Sequence, residues 1–237
     1  MNIAYDLHIH SSLSPCADND MTPNNIVNMS ILKGLDVIAI TDHNSCANVQ
    51  AISNCAKNTS LLVIPAMEIE TAEEIHVVCL FPNTEKAAEM QNLVYARLPN
   101  IRNKEDIFGE QLILDENDEL IGKEARLLLT STSITINEVF QVVNQKLGGL
   151  AIPAHIDRKS NSILSNLGAM PKDIDIKCVE ISDKKTDDIV LSKDNKISTM
   201  KRIYSSDAHH LWNIHEREEF IDVDCLTIES VIKALRN

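Results

Sequence analysis

Ile3-Ala4-Tyr5-Asp6-Leu7-His8-Ile9-His10 is the stretch that decides the fold, because it predicts a first β-strand that ends in two histidines. In a strand, residues two apart point to the same face, so His8 and His10 leave the backbone side by side. Both imidazoles are then within reach of one divalent cation. The alternative is a structural role as two partly buried strand residues, but neighbouring imidazoles repel each other once both are protonated.

Short apolar strands alternate with helical patterns along the chain. Thr22 is a predicted N-cap and Pro23 the first residue of a helix. The predicted strands are 3–10, 36–41, 61–68, 75–81, 150–155, 178–181 and 201–205, and the predicted helices are 22–33, 49–57, 84–97, 139–147 and 227–236. This alternation favours a parallel sheet with helical crossovers. Residues that follow the strands should then meet at the C-terminal edge, as in α/β barrels.

Residues 98–132 interrupt this rhythm. Two short apolar runs, 111–114 and 119–122, flank Asp115-Glu116-Asn117-Asp118, which predicts a β-hairpin with a four-residue turn. The chain has 237 residues, of which 44% are hydrophobic, and no Pro/Gly/Ser-rich linker divides it. We therefore expect a single domain over residues 1–237 that carries a small insertion at 98–132.

The composition argues against several classes of protein. No run of 18 or more apolar residues is present, so no transmembrane helix is expected. The first residues lack a basic and then apolar leader, and the six cysteines have no paired spacing. We therefore expect a cytoplasmic protein with reduced thiols. A net charge of −13 disfavours extended nucleic-acid binding.

Further histidines and acids recur at the ends of the later apolar runs. They are Asp42, His43, Glu68, His76, His155, Asp207 and His209. Imidazole and carboxylate together suit Zn²⁺, Mn²⁺ or Fe²⁺. A lone histidine is more often structural, and Asp42 could instead cap the next helix. Glu68 is preferred over the glutamates at 70, 73 and 74, because it ends a strand whereas they resemble a solvated loop. The repeated chemistry indicates a polynuclear metal centre.

The ordered combination of these motifs resembles the PHP (polymerase and histidinol phosphatase) family. The family's four motifs match residues 6–11, 40–44, 154–155 and 206–209, and its bridging glutamate and a further histidine match Glu68 and His76. The match runs from residue 1 to about residue 215, apart from the insertion. The resemblance implies an α/β fold, a distorted (β/α)7 TIM-like barrel, with two or three divalent metal ions (Zn, Mn or Fe). It also implies hydrolysis of phosphate esters.

The resemblance also implies how the ligands divide among the metal ions. The first ion would be held by His8, His10, Glu68 and Asp207. The second would be held by Glu68, His76 and His155, with Glu68 bridging the two. His43 and His209 would belong to a third site, to which family members usually add an Asp or His from the loop after the first motif. Here that loop reads Ser14-Pro15-Cys16-Ala17-Asp18, so Cys16 or Asp18 would have to serve, or the third site is weak. A thiolate would favour Zn²⁺ over Mn²⁺.

The expected activity is hydrolysis of a small phosphomonoester or short phosphodiester, such as a nucleotide or a metabolite phosphate, by a hydroxide that bridges two metal ions. Two or three divalent cations bring roughly +4 to +6, so the pocket would suit a small anionic substrate even in an acidic protein. Asp207, His209 and Arg158 are the expected catalytic residues. A third metal ion or a protonated His209 would assist the leaving oxygen.

The guanidinium of Arg158 would bind the phosphate through two parallel hydrogen bonds. The alternative role for Arg158 is a surface salt bridge. The arginines at 97, 102 and 126 could line a lid over the substrate. Two other functions stay open from the sequence. One is amidohydrolase-type cleavage of a non-phosphate bond, and the other is a non-catalytic metal-binding module. Neither a membrane partner nor a particular oligomeric state is indicated.

Overall fold

Ten strands and eight α-helices are present in the computed structural model of the protein, which describes all 237 residues. The strands are β1 (Asn2–Ile9), β2 (Val37–Ile40), β3 (Leu62–Glu70), β4 (His76–Leu80), β5 (Leu112–Leu114), β6 (Leu120–Lys123), β7 (Leu150–Pro153), β8 (Cys178–Glu180), β9 (Lys201–Ile203) and β10 (Phe220–Asp222). The helices are α1 (Pro23–Leu32), α2 (Val49–Ala56), α3 (Thr84–Arg97), α4 (Glu105–Phe108), α5 (Ile136–Phe140), α6 (Ile163–Leu167), α7 (Asp187–Lys193) and α8 (Ile228–Arg236). None of the helices combines the length and apolar character needed to cross a membrane.

Six strands form one mixed sheet in the order β10-β1-β2-β3-β4-β7. β1, β2 and β3 are parallel, β4 is antiparallel to both β3 and β7, and β10 is antiparallel to β1. β8 and β9 form a parallel pair, and a bridge from Ile9 to Ala208 links β1 to the segment after β9. The sheet is therefore a strongly curled half-barrel.

The expectation of a parallel sheet throughout was wrong. β3 and β4 are joined by residues 71–75 alone, and a parallel connection needs a crossover of about a dozen residues or more. The short connection forces β4 to run antiparallel. Its first residue, His76, therefore lies at the same edge as the C-terminal ends of β1 to β3.

Several predicted elements agree closely with the structure. The Thr22 side chain caps α1 by accepting a hydrogen bond from the backbone N–H of Asn25. β5 and β6 form the predicted hairpin within the insertion. The helix predicted at 139–147 begins earlier, because Thr135 and Glu138 form a capping box, and it continues as a π-helix over Gln141–Lys146. Helices α4, α6 and α7 and strand β10 were not predicted.

The interior of the half-barrel is one apolar cluster that takes residues from eight strands, β1 to β4 and β7 to β10. Leu7, Ala39 and Ile152 are fully buried members of this cluster. Val231 and Leu235 of α8 pack into it as well. The other face of the sheet packs against the remaining helices in two further clusters. Strands buried on both faces explain the near-continuous apolar runs in the sequence.

Gly149 lies where the start of β7 meets the end of β4. A Cβ atom on Gly149 would lie 2.3 Å from the carbonyl oxygen of Leu80 and 3.1 Å from Cγ1 of Val143. Because the first of these contacts is backbone, Gly149→Ala should lower the free energy of unfolding by about 1–3 kcal/mol in urea denaturation. Gly122→Ala is a matched control, since its Cβ would meet only Cδ1 of Ile113 at 3.9 Å. Equal stability of the two variants would contradict this packing.

Candidate metal centre

His8 and His10 lie side by side at the end of β1. Both are fully buried, and their Nε2 atoms are 3.1 Å apart. The Oδ1 atom of Asp207, which follows β9, lies 3.2 Å from Nε2 of His8 and 3.0 Å from Nε2 of His10. The same two nitrogens lie 3.4 and 3.5 Å from the carboxylate of Glu68. These four side chains are the set that the family resemblance implies for the first metal ion.

The carboxylate of Glu68 is the centre of the cluster. Its Oε1 lies 2.9 Å from Nδ1 of His76 and 3.2 Å from Nε2 of His155. Its Oε2 lies 3.0 Å from Nδ1 of His43. Glu68 lies inside β3 rather than at its end, and Glu70 continues the strand and lies 3.9 Å from His76 instead of occupying a solvated loop. The antiparallel turn after β3 is what brings His76 back to Glu68.

The structure contains three groups of residues, and within each group the ligand atoms lie within 4.8 Å of one another. They are His8 with His10 and Asp207, His43 with Glu68 and His76, and His10 with His43 and His209. The structure therefore brings all eight expected ligand residues to one place. It differs from the implied division in two respects, because His10 also approaches the pair expected to hold a third ion, and His43 also approaches Glu68 and His76 of the second site. The rings of His10 and His209 stack with centroids 4.3 Å apart.

Two buried carboxylate oxygens show that this cluster fits metal ions. Oε2 of Glu68 and Oδ1 of Asp207 accept no hydrogen bond, although imidazole nitrogens lie about 3 Å away. A buried acceptor without a partner costs about 1–3 kcal/mol. A cation that takes electron pairs from both carboxylate and imidazole would remove this penalty. The donor set therefore suits Zn²⁺, Mn²⁺ or Fe²⁺, and the overlapping groups suit more than one ion.

Opposite charges within the cluster stabilise each other, protonated imidazoles on one side and ionised carboxylates on the other. Burial lowers the pKa of His8, but the negative charges of Glu180, Asp207 and Glu68 outweigh it and hold that pKa well above its usual range. Burial raises the pKa of Glu68, but the surrounding imidazoles outweigh it and hold the pKa well below the usual range. His10 behaves differently, because burial and the neighbouring His209 lower its pKa well below the usual value.

Metal uptake should release protons near neutral pH. Burial lowers the pKa of both His8 and His43. The charges of Glu180 and Asp207 outweigh burial at His8, and the charge of Glu68 outweighs it at His43, so the pKa of each ring is raised and each holds a proton in the metal-free protein. A metal ion needs the deprotonated ring, so binding expels that proton, and metal affinity rises with pH. Calorimetry of Zn²⁺ or Mn²⁺ binding in buffers of different ionisation enthalpy measures the released protons. An enthalpy independent of the buffer would contradict the raised pKa values.

Two buried carboxylates, Glu180 and Asp42, hold the ligand rings, a role that was not expected of either from the sequence. Both oxygens of Glu180 lie 2.9–3.0 Å from Nδ1 of His8, and Oε1 also accepts the backbone N–H of His155. Asp42 accepts a hydrogen bond from Oγ of Ser14, which lies 2.9 Å from Nδ1 of His10. A partner on Nδ1 fixes the ring and leaves Nε2 for the metal.

The signal for Glu180 was in the sequence, because it is an acid inside the apolar strand 178–181. A buried charge is retained only where it is paired. Asp42 neither caps α2 nor reaches the metal cluster, since its oxygens accept from Ser11 and Ser14.

Glu180→Gln tests this support of the ligand rings. The amide keeps the shape of the side chain but loses the charge that faces Nδ1 of His8. We expect metal affinity to fall roughly 10–100-fold, as measured by competition with a chelator. Glu89→Gln is the control, because Glu89 is exposed and pairs only with Lys86. Unchanged affinity in Glu180→Gln would show that Glu180 does not orient the ring.

The loop after the first motif turns its cysteine toward the cluster and its aspartate away. Burial raises the pKa of Cys16, but the neighbouring His209 and His43 rings outweigh it and bring the pKa down to about 7. The carboxylate of Asp18 lies 3.4 Å from Nδ1 of His210. Of the two candidates, Cys16 is therefore the one that faces the expected third site.

A cavity of about 120 Å³ opens at the cluster. Its lining is polar throughout and consists of His43, Glu68, His76, His155, Arg158, Ser160, Asn161, Asp207 and His209. Arg158 stands at the mouth, where Nη1 lies 2.6 Å from Oδ2 of Asp207 and Nε donates to Oγ of Ser182. Its neighbour Asp157 accepts from the backbone N–H groups of residues 182 and 183 instead of facing the cavity.

The arginines expected in a lid do not line this cavity. Arg126 donates to the carbonyl oxygen of Tyr95 and stacks on that ring at 4.0 Å. Arg97 pairs with Ser133 and Glu138 at the surface. The insertion reaches the site through its backbone instead, because Nδ2 of Asn44 donates to the carbonyl oxygens of residues 128 and 130.

The half-barrel and its histidine–carboxylate cluster define a protein built to hold several metal ions. Residues 6–146, more than half of the chain, match the PHP domain, and the chain belongs to this family. The chain is 26% identical over 199 residues, 84% of its length, to the uncharacterized protein MJ0043 of Methanocaldococcus jannaschii. It is 34% identical over 83 residues, 34% of its length, to a 5'-3' exoribonuclease of Haemophilus influenzae.

The chain spans only 21% and 29% of the length of these two relatives. Its fold is similar to that of the lesion-specific endonuclease PfuEndoQ of Pyrococcus furiosus, with a TM-score of 0.69 and 21% identity. That alignment covers all of this chain and 56% of the endonuclease.

Proposed function

We propose that this chain is a metal-dependent phosphoesterase that hydrolyses a phosphomonoester or a short phosphodiester. One observation carries the proposal: the carboxylate of Glu68 lies within 3.5 Å of five imidazoles at the floor of a cavity whose mouth holds Arg158. A metal cluster beneath a guanidinium suits a phosphoryl group, which carries negative charge on several oxygens. Phosphodiester substrates are favoured because the Haemophilus influenzae relative is an exoribonuclease.

We propose the division of ligand residues among the ions that the resemblance implies, with His10 and His43 each near a second group. His8, His10, Glu68 and Asp207 would hold one ion, Glu68, His76 and His155 a second, and His43, His209 and Cys16 a third. The thiol of Cys16 favours Zn²⁺ over Mn²⁺ at the third site. When bound, such ions lower the pKa of water and neutralise charge on the phosphoryl oxygens.

The chain's own residues position the substrate and handle the leaving group. Arg158 can turn from Asp207 to a phosphate oxygen, because 42% of its side chain is exposed. His209 lies at the cavity wall. Burial lowers the pKa of His209, but contacts with Cys16 and Asp207 outweigh it and raise that pKa. Where no third ion is bound, the ring can therefore hold a proton for the leaving oxygen. Asp207 anchors both Arg158 and the ligand pair on β1.

We also propose that residues 1–237 form one distorted (β/α)7 barrel domain with residues 98–132 inserted into it. The interior cluster supports this organisation, because it takes apolar side chains from eight strands. β5 and β6 pair only with each other, as expected for an inserted hairpin.

Arg158→Ala tests the proposed grip on the phosphate. Protein loaded with Mn²⁺, Zn²⁺ or Fe²⁺ is assayed on an aryl phosphate, a bis-aryl phosphodiester and short oligoribonucleotides. Loss of a charged hydrogen bond should lower kcat/KM roughly 10–150-fold while metal content stays the same. Arg97→Ala is the matched control, since Arg97 lies outside the cavity. Full metal occupancy in the wild type without turnover on any phosphate ester would favour an amidohydrolase-type or non-catalytic role.

A further inference from the structure

Trp212 is the most exposed aromatic residue of the chain and its sole tryptophan. The chain has few aromatic residues, 3% in all, and 69% of Trp212 is exposed, against 44% for Phe220. The ring of His210 covers one face of the indole, with centroids 4.5 Å apart and planes within 8°. Because 69% of Trp212 is exposed although His210 covers one face, much of the rest of the indole is accessible to solvent. An exposed indole held flat by a second ring is a surface on which another flat ring can stack.

The pair of rings directly follows the proposed metal centre along the chain. His210 directly follows His209, whose side chain lines the cavity. The ring of His210 also lies 3.4 Å from Asp18, in the same loop as Cys16. Trp212 therefore stands on the segment that leaves the rim of the cavity.

The backbone beneath Trp212 is fixed. Nζ of Lys33 donates to the carbonyl oxygens of Trp212 and Ile214, and the backbone N–H of Asn213 donates to the carbonyl oxygen of His210. These bonds hold the turn Leu211–Asn213 against the end of α1. A ring on such a turn loses little conformational freedom when a ligand stacks on it.

The size of the cavity requires a contact surface outside it. At about 120 Å³ the cavity is well below the roughly 300–1,000 Å³ that encloses a whole small molecule. It has room for the phosphoryl group, while the rest of the substrate lies over the rim. The net charge of −13 provides no general attraction for a phosphate backbone. Affinity for the remainder of the substrate must therefore come from contacts such as stacking, which every nucleobase can make.

We propose that Trp212, backed by His210, is the stacking platform for a nucleobase of a short nucleic-acid substrate whose phosphate enters the metal cavity. This inference rests on the proposed phosphoesterase function and names its substrate class. Trp212 binds the base and takes no part in bond cleavage.

The sole tryptophan gives a direct readout of stacking that does not depend on turnover. Adenosine 5'-monophosphate should quench the fluorescence of Trp212 in the metal-loaded protein in a saturable manner. Ribose 5-phosphate has the same sugar and phosphate but lacks the base, so it should leave the fluorescence unchanged. Quenching by both compounds alike, or by neither, would overturn the proposal.

Variants separate stacking from the chemistry. Trp212→Ala should raise KM for adenylyl-adenosine by about five- to 150-fold, the range for loss of one base–aromatic stack, with kcat on a base-free dialkyl phosphodiester unchanged. Trp212→Phe should restore most of the affinity, because it keeps a flat ring. Ile189→Ala, an exposed apolar control on α7, should behave as the wild type. An unchanged KM in Trp212→Ala would overturn the stacking role.

The two proposals fail in different ways. If adenosine monophosphate quenches Trp212 but no phosphate ester is hydrolysed, the base site stands and the phosphoesterase function falls. If phosphodiesters are cleaved at equal rates with and without a base, and no quenching occurs, the phosphoesterase function stands and the base site falls. Dimerisation of the wild type that Trp212→Ala abolishes, without any base-dependent quenching, would assign the exposed indole to a protein partner and overturn the proposal.

Discussion

A buried carboxylate surrounded by imidazoles is the constraint on which the rest of this structure depends. Glu68 is almost fully buried and lies within 3.5 Å of five histidine rings, and Asp207 brings a second negative charge to the same place. Protons on the rings can balance part of this charge, but they leave two buried carboxylate oxygens without partners. Divalent cations satisfy the oxygens and the ring nitrogens together, so the arrangement is intelligible as a metal-binding cluster.

The half-barrel supplies the rigidity that such a cluster needs. The ligands come from six separate chain segments, and each lies within a strand or a few residues from one whose other residues pack in the apolar interior. The polar groups lie at one end of the interior, and α8 packs into the interior through Val231 and Leu235. Stability and chemistry are thus separated along the barrel axis. A change in the apolar interior alters the fold, whereas a change at the open end alters the site.

The sequence predicted those parts of the site that follow from short-range geometry. His8 and His10 were expected to share a face because a strand alternates every residue, and His155 was expected at the same edge because it follows an apolar strand. The role of Glu180 was not predicted, because its partner His8 lies 172 residues away and no local sequence pattern indicates that pairing. The prediction that arginines of the insertion line a lid was wrong for a similar reason, since the partner of a long flexible side chain is determined only in the folded protein. The direction of β4 was predictable in principle from the shortness of the segment 71–75.

The acidic surface and a phosphate substrate are compatible once distance is considered. At physiological salt, charges separated by more than about 8 Å are largely screened. A single phosphoryl group inside the cavity therefore responds to the nearby cluster and to Arg158, and hardly to the distant carboxylates that make up the net charge of −13. A long polyanion is different, because each of its phosphates lies against some part of the acidic surface. If the proposed function holds, the net charge would therefore limit the length of the substrate rather than its chemistry, and specificity would come from the few uncharged contacts at the rim of the cavity.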